Sequence, residues 1–381
     1  MKVLFLSLKG FSGVGGIEKV SRVISRVLAD MKTDGVLSHL CCLSAYDSEA
    51  DARYVSPEDF RGFGGNRGSF CAAAIRAGWD TDLVLLSHVN LAPVGLAIKL
   101  LHPAVRMVLI AHGIEIWPRL NGLKREFLCQ CSSILAISQF TKDKLVANNE
   151  VAPARVEIVH NAIDRFFRIP SYFAKPPYLL QRYGLHPDDH ILLTVTRISS
   201  LERYKGYDRV LEAVAGVKPV VPKIKYLLAG KADPTEKQRL AGLVASLGIQ
   251  AEVIMTGYVT EEELTDHFLL GDVFVMPSKK EGFGIVFIEA LACGLTVIAG
   301  NKDGSVDAVR NGELGILVDP DSTEEIRQAI ITGLARARQL DEHAKQQQSR
   351  RVLEAFGFEP YRQHLQKTLL AHLNKKNKIH N

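Results

Sequence analysis

What most constrains this chain is an alternation that runs through both halves: short apolar runs separated by segments whose apolar residues recur every three to four positions. "VLFLSL" (3–8) is followed by a segment from about Gly16 to Met31, in which Ile17, Val20, Val23, Ile24, Val27, Leu28 and Met31 fit a 3.6-residue period. Further strand-type runs fall at 36–43, 83–87, 107–111, 133–137 and 156–159. The second half continues with 191–195, 226–229, 253–255, 273–276, 297–299 and 316–318, and Ser322 with Glu325 forms a capping box after the last of them. Strands that alternate with helices run parallel, and the helices cover both faces of the sheet. The expected class is therefore α/β, with two doubly wound parallel sheets. A length of 381 residues allows two domains that each bury their own core. "RFFRIPSYFAKPPYL" (165–179) has three prolines and no period, and reads as the linker. The expected boundaries are 1–168, 169–355, and a C-terminal helix with basic tail, 356–381, packing back on the first domain.

Composition removes several alternatives. Apolar residues at 47% and charged residues at 23% exclude a disordered chain. The net charge of +5 is split as +4 over residues 1–170 and +1 over the rest. That excess is too small for a nucleic-acid protein, though it suits a first domain working near anionic lipid. Six cysteines show no zinc-type spacing, and Cys129-Gln-Cys131 is too close for a C-x-x-C pair, so reduced thiols are expected. "MKVLFLSLKG" reads as a first strand rather than a signal peptide. The longest apolar region, Leu83 to Trp117, is broken by His88, Asn90, Pro93, Lys99, His102, Pro103 and Arg106, and cannot be a spanning helix. A cytoplasmic, soluble protein is expected, with peripheral attachment to the inner membrane face left open. The tail "LNKKNKIHN" (373–381) reads as a basic, frayed end.

In open parallel sheets, ligands bind beyond the carboxyl ends of strands. "FSGVGGIEKV" places Gly13, Gly15 and Gly16 in a turn from the first strand into the first helix, where backbone can approach a ligand. Dinucleotide enzymes use such turns, but here Lys19 occupies the third-glycine site, and the nearest ribose-binding acid, Asp47, comes rather late. "AHGIEIW" puts His112 directly after a strand. In "TVTRISSLERYKGYDRV", Arg197 ends a strand and Lys205 precedes a helix, a spacing from which two cations could clamp a diphosphate; Arg203 and Arg209 read as surface charges. In "PSKKEGFGIVFIEALACG", Glu281 and Glu289 bracket a glycine turn and a helix N-terminus, a natural seat for phosphate. Asp80-Thr-Asp82 and Asp319-Pro-Asp321 match a metal-binding D-x-D pattern. The first lies at the wrong strand end and the second runs into a helix cap, so both read as structural.

Taken in order, these segments, with "AISQFTKDKL", "VHNAID", "VIMTGYVTEEEL" and "GELGILVDP", make the chain resemble the retaining GT-B glycosyltransferases of family 4, whose hallmark is E-x7-E in the second domain. The resemblance implies two Rossmann-like domains facing a cleft, and a hexose moved from a nucleotide diphosphate sugar to a hydroxyl of a glycan or lipid-linked acceptor. It assigns Glu281 to hydroxyls of the donor sugar, Glu289 to the ribose, and backbone N–H groups of Phe283, Gly284 and Ile285 to sugar and phosphates. Arg197 and Lys205 would neutralise the leaving diphosphate, His112 would sit by the donor sugar, and Gly15-Gly16 would cover the diphosphate or admit the acceptor. "LSHVNLAP", with His88 and Asn90, is an acceptor-side candidate. No metal and no cofactor are implied. Family usage points to GDP-mannose or UDP-glucose as donor and to surface or extracellular polysaccharide as product. Many relatives have Pro at Thr296 and Glu at Asp307, and Asp307 is left out of the site. Two other functions fit parts of the pattern: an NAD-dependent dehydrogenase, which leaves Arg197, Lys205 and the glutamates without a role, and a non-catalytic two-domain nucleotide-sugar-binding protein.

Overall fold

The computed structural model describes residues 1–13 and 15–374, so most of the basic tail lies outside the described residues. The chain divides into two compact units, Met1–Arg165 together with the segment from Gly357, and Phe166–Phe356.

The first unit holds a parallel sheet of β1 (Lys2–Ser7), β2 (His39–Ser44), β3 (Phe60–Gly62), β4 (Leu83–Leu86), β5 (Arg106–Ala111), β6 (Ser133–Ala136) and β7 (Val156–Ile158). Its order is β3-β2-β1-β4-β5-β6-β7. The second unit holds β8 (His190–Val195), β9 (Ile224–Ala229), β10 (Val253–Gly257), β11 (Val273–Met276), β12 (Thr296–Gly300) and β13 (Ile316–Val318), in the order β10-β9-β8-β11-β12-β13. Every pairing is parallel. The order reverses between β1 and β4 in one sheet and between β8 and β11 in the other. Such switch points are where open α/β sheets bind ligands.

Central strands such as β4 and β11 are buried at every residue, as strands covered on both faces must be. The helix Gly16–Thr33 buries Val20, Val23, Ile24, Val27, Leu28 and Met31, the face its period marks, and runs two residues past Met31. The helix Phe358–Asn374 buries Tyr361, Leu365 and Leu369 at four-residue spacing. It packs on Gly16–Thr33, aided by an Arg362–Asp34 ion pair at 2.8 Å.

Two expectations need correction. Strand β3 was not foreseen, because three residues with no buried side chain carry no periodic signal. The linker stretch 165–179 is not wholly irregular: a helix, Pro177–Tyr183, begins inside it, since proline in the first turn lacks only an N–H that has no intrahelical acceptor. Among the described residues, no helix is long and apolar enough to cross a membrane.

Candidate functional site

In the second unit, the loops after β8 and β11 emerge on either side of the switch point. Arg197 follows β8, its side chain 67% exposed, with Glu202 at 3.4 Å. Lys205 ends a short helical turn, Arg203–Lys205, closed by Gly206 at φ +80°. A Cβ at Gly206 would lie 2.3 Å from the carbonyl oxygen of Pro277, so only glycine lets this turn lie against the loop after β11. The Lys279 N–H donates to the Tyr204 carbonyl at 2.9 Å and seals the same approach.

That approach joins two residues far apart in sequence: the Lys205 ammonium donates to the Glu281 carboxylate. Both side chains are mostly withdrawn from water. Burial pulls the Lys205 pKa down, but the charge and hydrogen bond of Glu281 outweigh it and hold the value above that of an ordinary lysine. Tyr204 lies within electrostatic reach of Lys205, Glu281 and Arg197, and the Lys205 and Lys280 ammonium groups lie 5.6 and 5.8 Å from its ring centroid.

Beyond Glu281 the chain turns through Gly284 at φ +87° into the helix Ile285–Ala292. Its first N–H groups have no intrahelical acceptors and carry the positive end of the helix dipole. Phe283 is fully buried, its ring edge-on to Phe356 at 5.6 Å, so only its backbone could serve a ligand. Glu289 follows in the second turn and is 1% exposed.

Sequence reasoning passed over Asp303. Its carboxylate, 1% exposed, accepts from the Ser278 hydroxyl, from the Glu281 N–H at 2.7 Å and from the Ser305 N–H at 2.9 Å. Burial pushes its pKa up to about 6 against these donors and the Ser305 hydroxyl. The signal was its place just past β12, at a strand's carboxyl end.

The remaining candidates lie in the first unit. Gly15 precedes the helix Gly16–Thr33 in extended backbone. A Cβ on Gly16 would meet nothing within 4 Å, so no close approach within the unit requires glycine there. Asp47 is not a ribose ligand in waiting. Its carboxylate accepts from the N–H groups of Gly10, Phe11 and Ser12 at 2.7, 3.1 and 2.6 Å and from the Ser44 hydroxyl at 2.7 Å, and so fastens the loop after β1.

His112 is buried, with Nε2 2.7 Å from the Ser87 carbonyl oxygen. A carbonyl only accepts, so Nε2 carries the proton and Nδ1 presents a lone pair. Burial lowers its pKa to about 4, and the neutral ring is the form present at neutral pH. His88 is also buried; its Nδ1 accepts from the Asn90 N–H at 3.0 Å, capping a short turn, while Asn90 itself is exposed. Glu18, in the first turn of the first helix, is within electrostatic reach of both histidines.

The carboxylates of both D-x-D patterns have partners. Asp80 pairs with Lys2 at 2.6 Å, and Asp82 accepts from the Lys2 N–H at 2.8 Å. Asp319 pairs with Lys302, and Asp321 with Lys279 and Lys302. The arrangement as a whole gathers a lysine, a carboxylate and a helix N-terminus at one switch point, with an arginine nearby. Such a set can hold an anion and a hydroxylated group side by side.

Comparison with known proteins bears on this set. Residues 180–376 match the family model for glycosyl transferases group 1, and residues 14–165 match that for glycosyltransferase family 4. Among curated relatives, the D-inositol 3-phosphate glycosyltransferase of Mycobacteroides abscessus is 30% identical over 231 residues, covering 60% of this chain and 50% of that protein. A GDP-mannose-dependent alpha-(1-6)-phosphatidylinositol monomannoside mannosyltransferase of Mycolicibacterium smegmatis is 28% identical over 240 residues, 60% of each. The matched chain thus spans 50 to 60% of the length of these relatives. Among solved structures, Anabaena HepE in complex with UDP-glucose superposes with a TM-score of 0.76 at 18% identity, covering 97% of this chain and 100% of that one. A glycosyltransferase from Rickettsia africae gives 0.77 at 18%, with 98% of both chains covered. At such identity these two speak to the fold alone. The group 1 model by itself covers more than half of the residues, and the chain belongs to the glycosyl transferases group 1 family, with the GT-B fold.

Proposed function

We propose that the protein is a retaining, metal-independent hexosyltransferase that moves a hexose from a nucleotide diphosphate sugar to a hydroxyl of a glycan or lipid-linked acceptor. The observation that carries this reading is the Lys205–Glu281 pair beside the N-terminus of Ile285–Ala292. A diphosphate suits the ammonium and the helix N-terminus, and sugar hydroxyls suit the carboxylate. Arg197 and Lys205 take up the charge that grows on the leaving diphosphate, the role a divalent ion plays elsewhere. Glu289, buried one turn further on, is the ribose ligand in this scheme, and the backbone at Phe283, Gly284 and Ile285 meets the phosphates.

From the first unit, His112 contributes a neutral ring whose Nδ1 can accept a hydrogen bond from a hydroxyl, Gly15 and Gly16 give backbone access, and His88 and Asn90 are the acceptor-side candidates. Without a protein nucleophile assigned, attack from the leaving-group face fits retention, with the departing phosphate oxygen taking the acceptor proton. GDP-mannose is favoured as donor by the activity named for the Mycolicibacterium smegmatis relative, and UDP-glucose, the ligand in the Anabaena structure, is the second candidate. Surface polysaccharide synthesis at the cytoplasmic membrane face completes the proposal. A dehydrogenase fits less well, because Asp47 is committed to its own loop.

The test is incubation of the protein with labelled GDP-mannose and UDP-glucose and a set of glycan acceptors. Release of nucleoside diphosphate, a product of unchanged anomeric configuration by NMR, and activity that survives EDTA are expected. An inverted product, or activity lost to EDTA and restored by Mn²⁺ or Mg²⁺, would overturn retention or metal independence respectively. Absence of any nucleoside diphosphate release would overturn the transferase reading.

A further inference from the structure

The loop that carries Glu281 belongs to neither strand nor helix, so something outside it must set where the carboxylate points. The loop after β12 does so through backbone. Gly304 N–H donates to the Glu281 carbonyl at 2.9 Å, and the Glu281 N–H donates to Asp303 at 2.7 Å, so both sides of this one residue are held by adjacent positions. The contact is close: a Cβ on Gly304 would lie 2.0 Å from the Gly282 carbonyl oxygen, and one on Gly300 would lie 2.2 Å from that of Ser278. Asp303 ties the two loops with two hydrogen bonds, from the Ser278 hydroxyl and the Glu281 N–H, and is itself steadied by the Ser305 N–H, Ser278 and Ser305 being 0% exposed.

We propose that Asp303 is a positioning residue, whose carboxylate holds the Glu281 peptide so that the Glu281 side chain meets the donor sugar. This inference rests on the donor-site reading above. It predicts a separation of effects, because Asp303 governs the sugar contact and leaves the diphosphate contacts of Arg197 alone. The Glu281 and Ser305 N–H groups facing Asp303 can only donate, and the Ser278 hydroxyl donates to it here, so the ionised carboxylate is the form that satisfies all three together. Protonation removes the negative charge that strengthens the hydrogen bond from the Glu281 N–H, and the hold on Glu281 loosens. The charged groups on the packed elements are Lys279, Lys280 and Glu281 with its Lys205 partner on the loop after β11, Lys302 beside Asp303, and Asp307 on the short helix Ser305–Ala308. Lys279 is paired with Asp321, and Lys280 lies against the Tyr204 ring. Lys302 is occupied by Asp319 and Asp321.

The experiment compares wild type, Asp303→Asn and Ser278→Ala. UDP and GDP affinity are measured by calorimetry, kcat for the active nucleotide sugar is measured from pH 5 to 8, and folding is checked by circular dichroism. Asp303→Asn is expected to bind the nucleoside diphosphate within about threefold of wild type. Its kcat should fall at least about tenfold, roughly the effect of one lost charge-assisted hydrogen bond, and the acid limb expected of wild type near pH 6 should be absent. An unchanged kcat and pH profile would overturn the proposal. Should Asp303→Asn fail to fold, Ser278→Ala decides: it removes a donor that favours the ionised form, so the acid limb must move to higher pH, and a limb that stays in place overturns the proposal. A wild type that binds neither UDP nor GDP would overturn the donor-site reading, and this inference with it.

Discussion

Replacing Glu281 by Gln separates the two halves of the donor site. In the free protein Glu281 and Lys205 neutralise each other, with side chains 17% and 15% exposed. Removing one partner of a fully buried pair costs about 3–5 kcal/mol. Residual exposure and the amide oxygen that Gln keeps reduce this to about 1–2 kcal/mol. For a unit of this size that lowers Tm by roughly 2–8 °C. A diphosphate then meets a lysine that no longer has a carboxylate to leave. The variant should bind UDP or GDP as tightly as wild type or up to about tenfold more tightly, tenfold being about 1.4 kcal/mol. Turnover should nevertheless fall about 10²-fold, because contacts to the sugar strengthen as charge develops on the ring. Calorimetry with the bare diphosphate, initial rates with the nucleotide sugar and a melting curve supply the three readouts. Full activity would remove Glu281 from the sugar site. A diphosphate affinity that falls in step with turnover would show that Glu281 serves the diphosphate instead.

Arg197→Ala should weaken UDP or GDP binding and turnover together, by about tenfold or more, because the product carries the charge the arginine meets; a normal binding isotherm would exclude Arg197. Gly304→Ala should destabilise the second unit by about 3 kcal/mol, as an overpacked contact against backbone that cannot swing aside, and urea unfolding measures it. His112 gives a pH signature of definite sign. Its folded pKa, about 4, lies below the unfolded value of 6.5, so between these values the unfolded chain takes up a proton that the folded one refuses. Stability of the first unit should therefore fall as pH drops from about 6.5 to about 4, by on the order of 3 kcal/mol in total, and His112→Gln should lose that share of the slope in urea titrations.

The architecture was legible because the central strands are continuous apolar runs and helices such as Gly16–Thr33 and Tyr207–Val217 carry an apolar stripe, so the period separates them. β11 and β13 match their sequence-read limits to the residue. β3 was illegible because a three-residue edge strand buries nothing that would leave a pattern. At the site, a glycine turn into a helix could be read around Glu281, since the φ of Gly284 is a local property. The Lys205–Glu281 pairing could not, because it depends on Gly206 lying against Pro277, a contact between residues that sequence order keeps far apart. Asp303 was missed, and the anchoring role of Asp47 went unforeseen, for one reason. A carboxylate that collects backbone N–H groups looks, in sequence, like any other acid near a loop.

The first unit is built from two stretches of chain that do not adjoin. Its sheet is complete by Ile158, yet the helix that lies on Gly16–Thr33 begins only at Phe358, after the whole of the second unit. At roughly 5–20 residues per second, synthesis of the intervening residues, about 190 of them, takes on the order of 10–40 s. For that interval the nascent first unit has its strands in hand while the surface meant for Tyr361, Leu365 and Leu369 stays bare. Translation speed through the second unit thus sets how long that bare face of Gly16–Thr33 is available to chaperones and to other nascent chains. Slow codons placed there would lengthen the exposure of the first unit without altering a single residue of it.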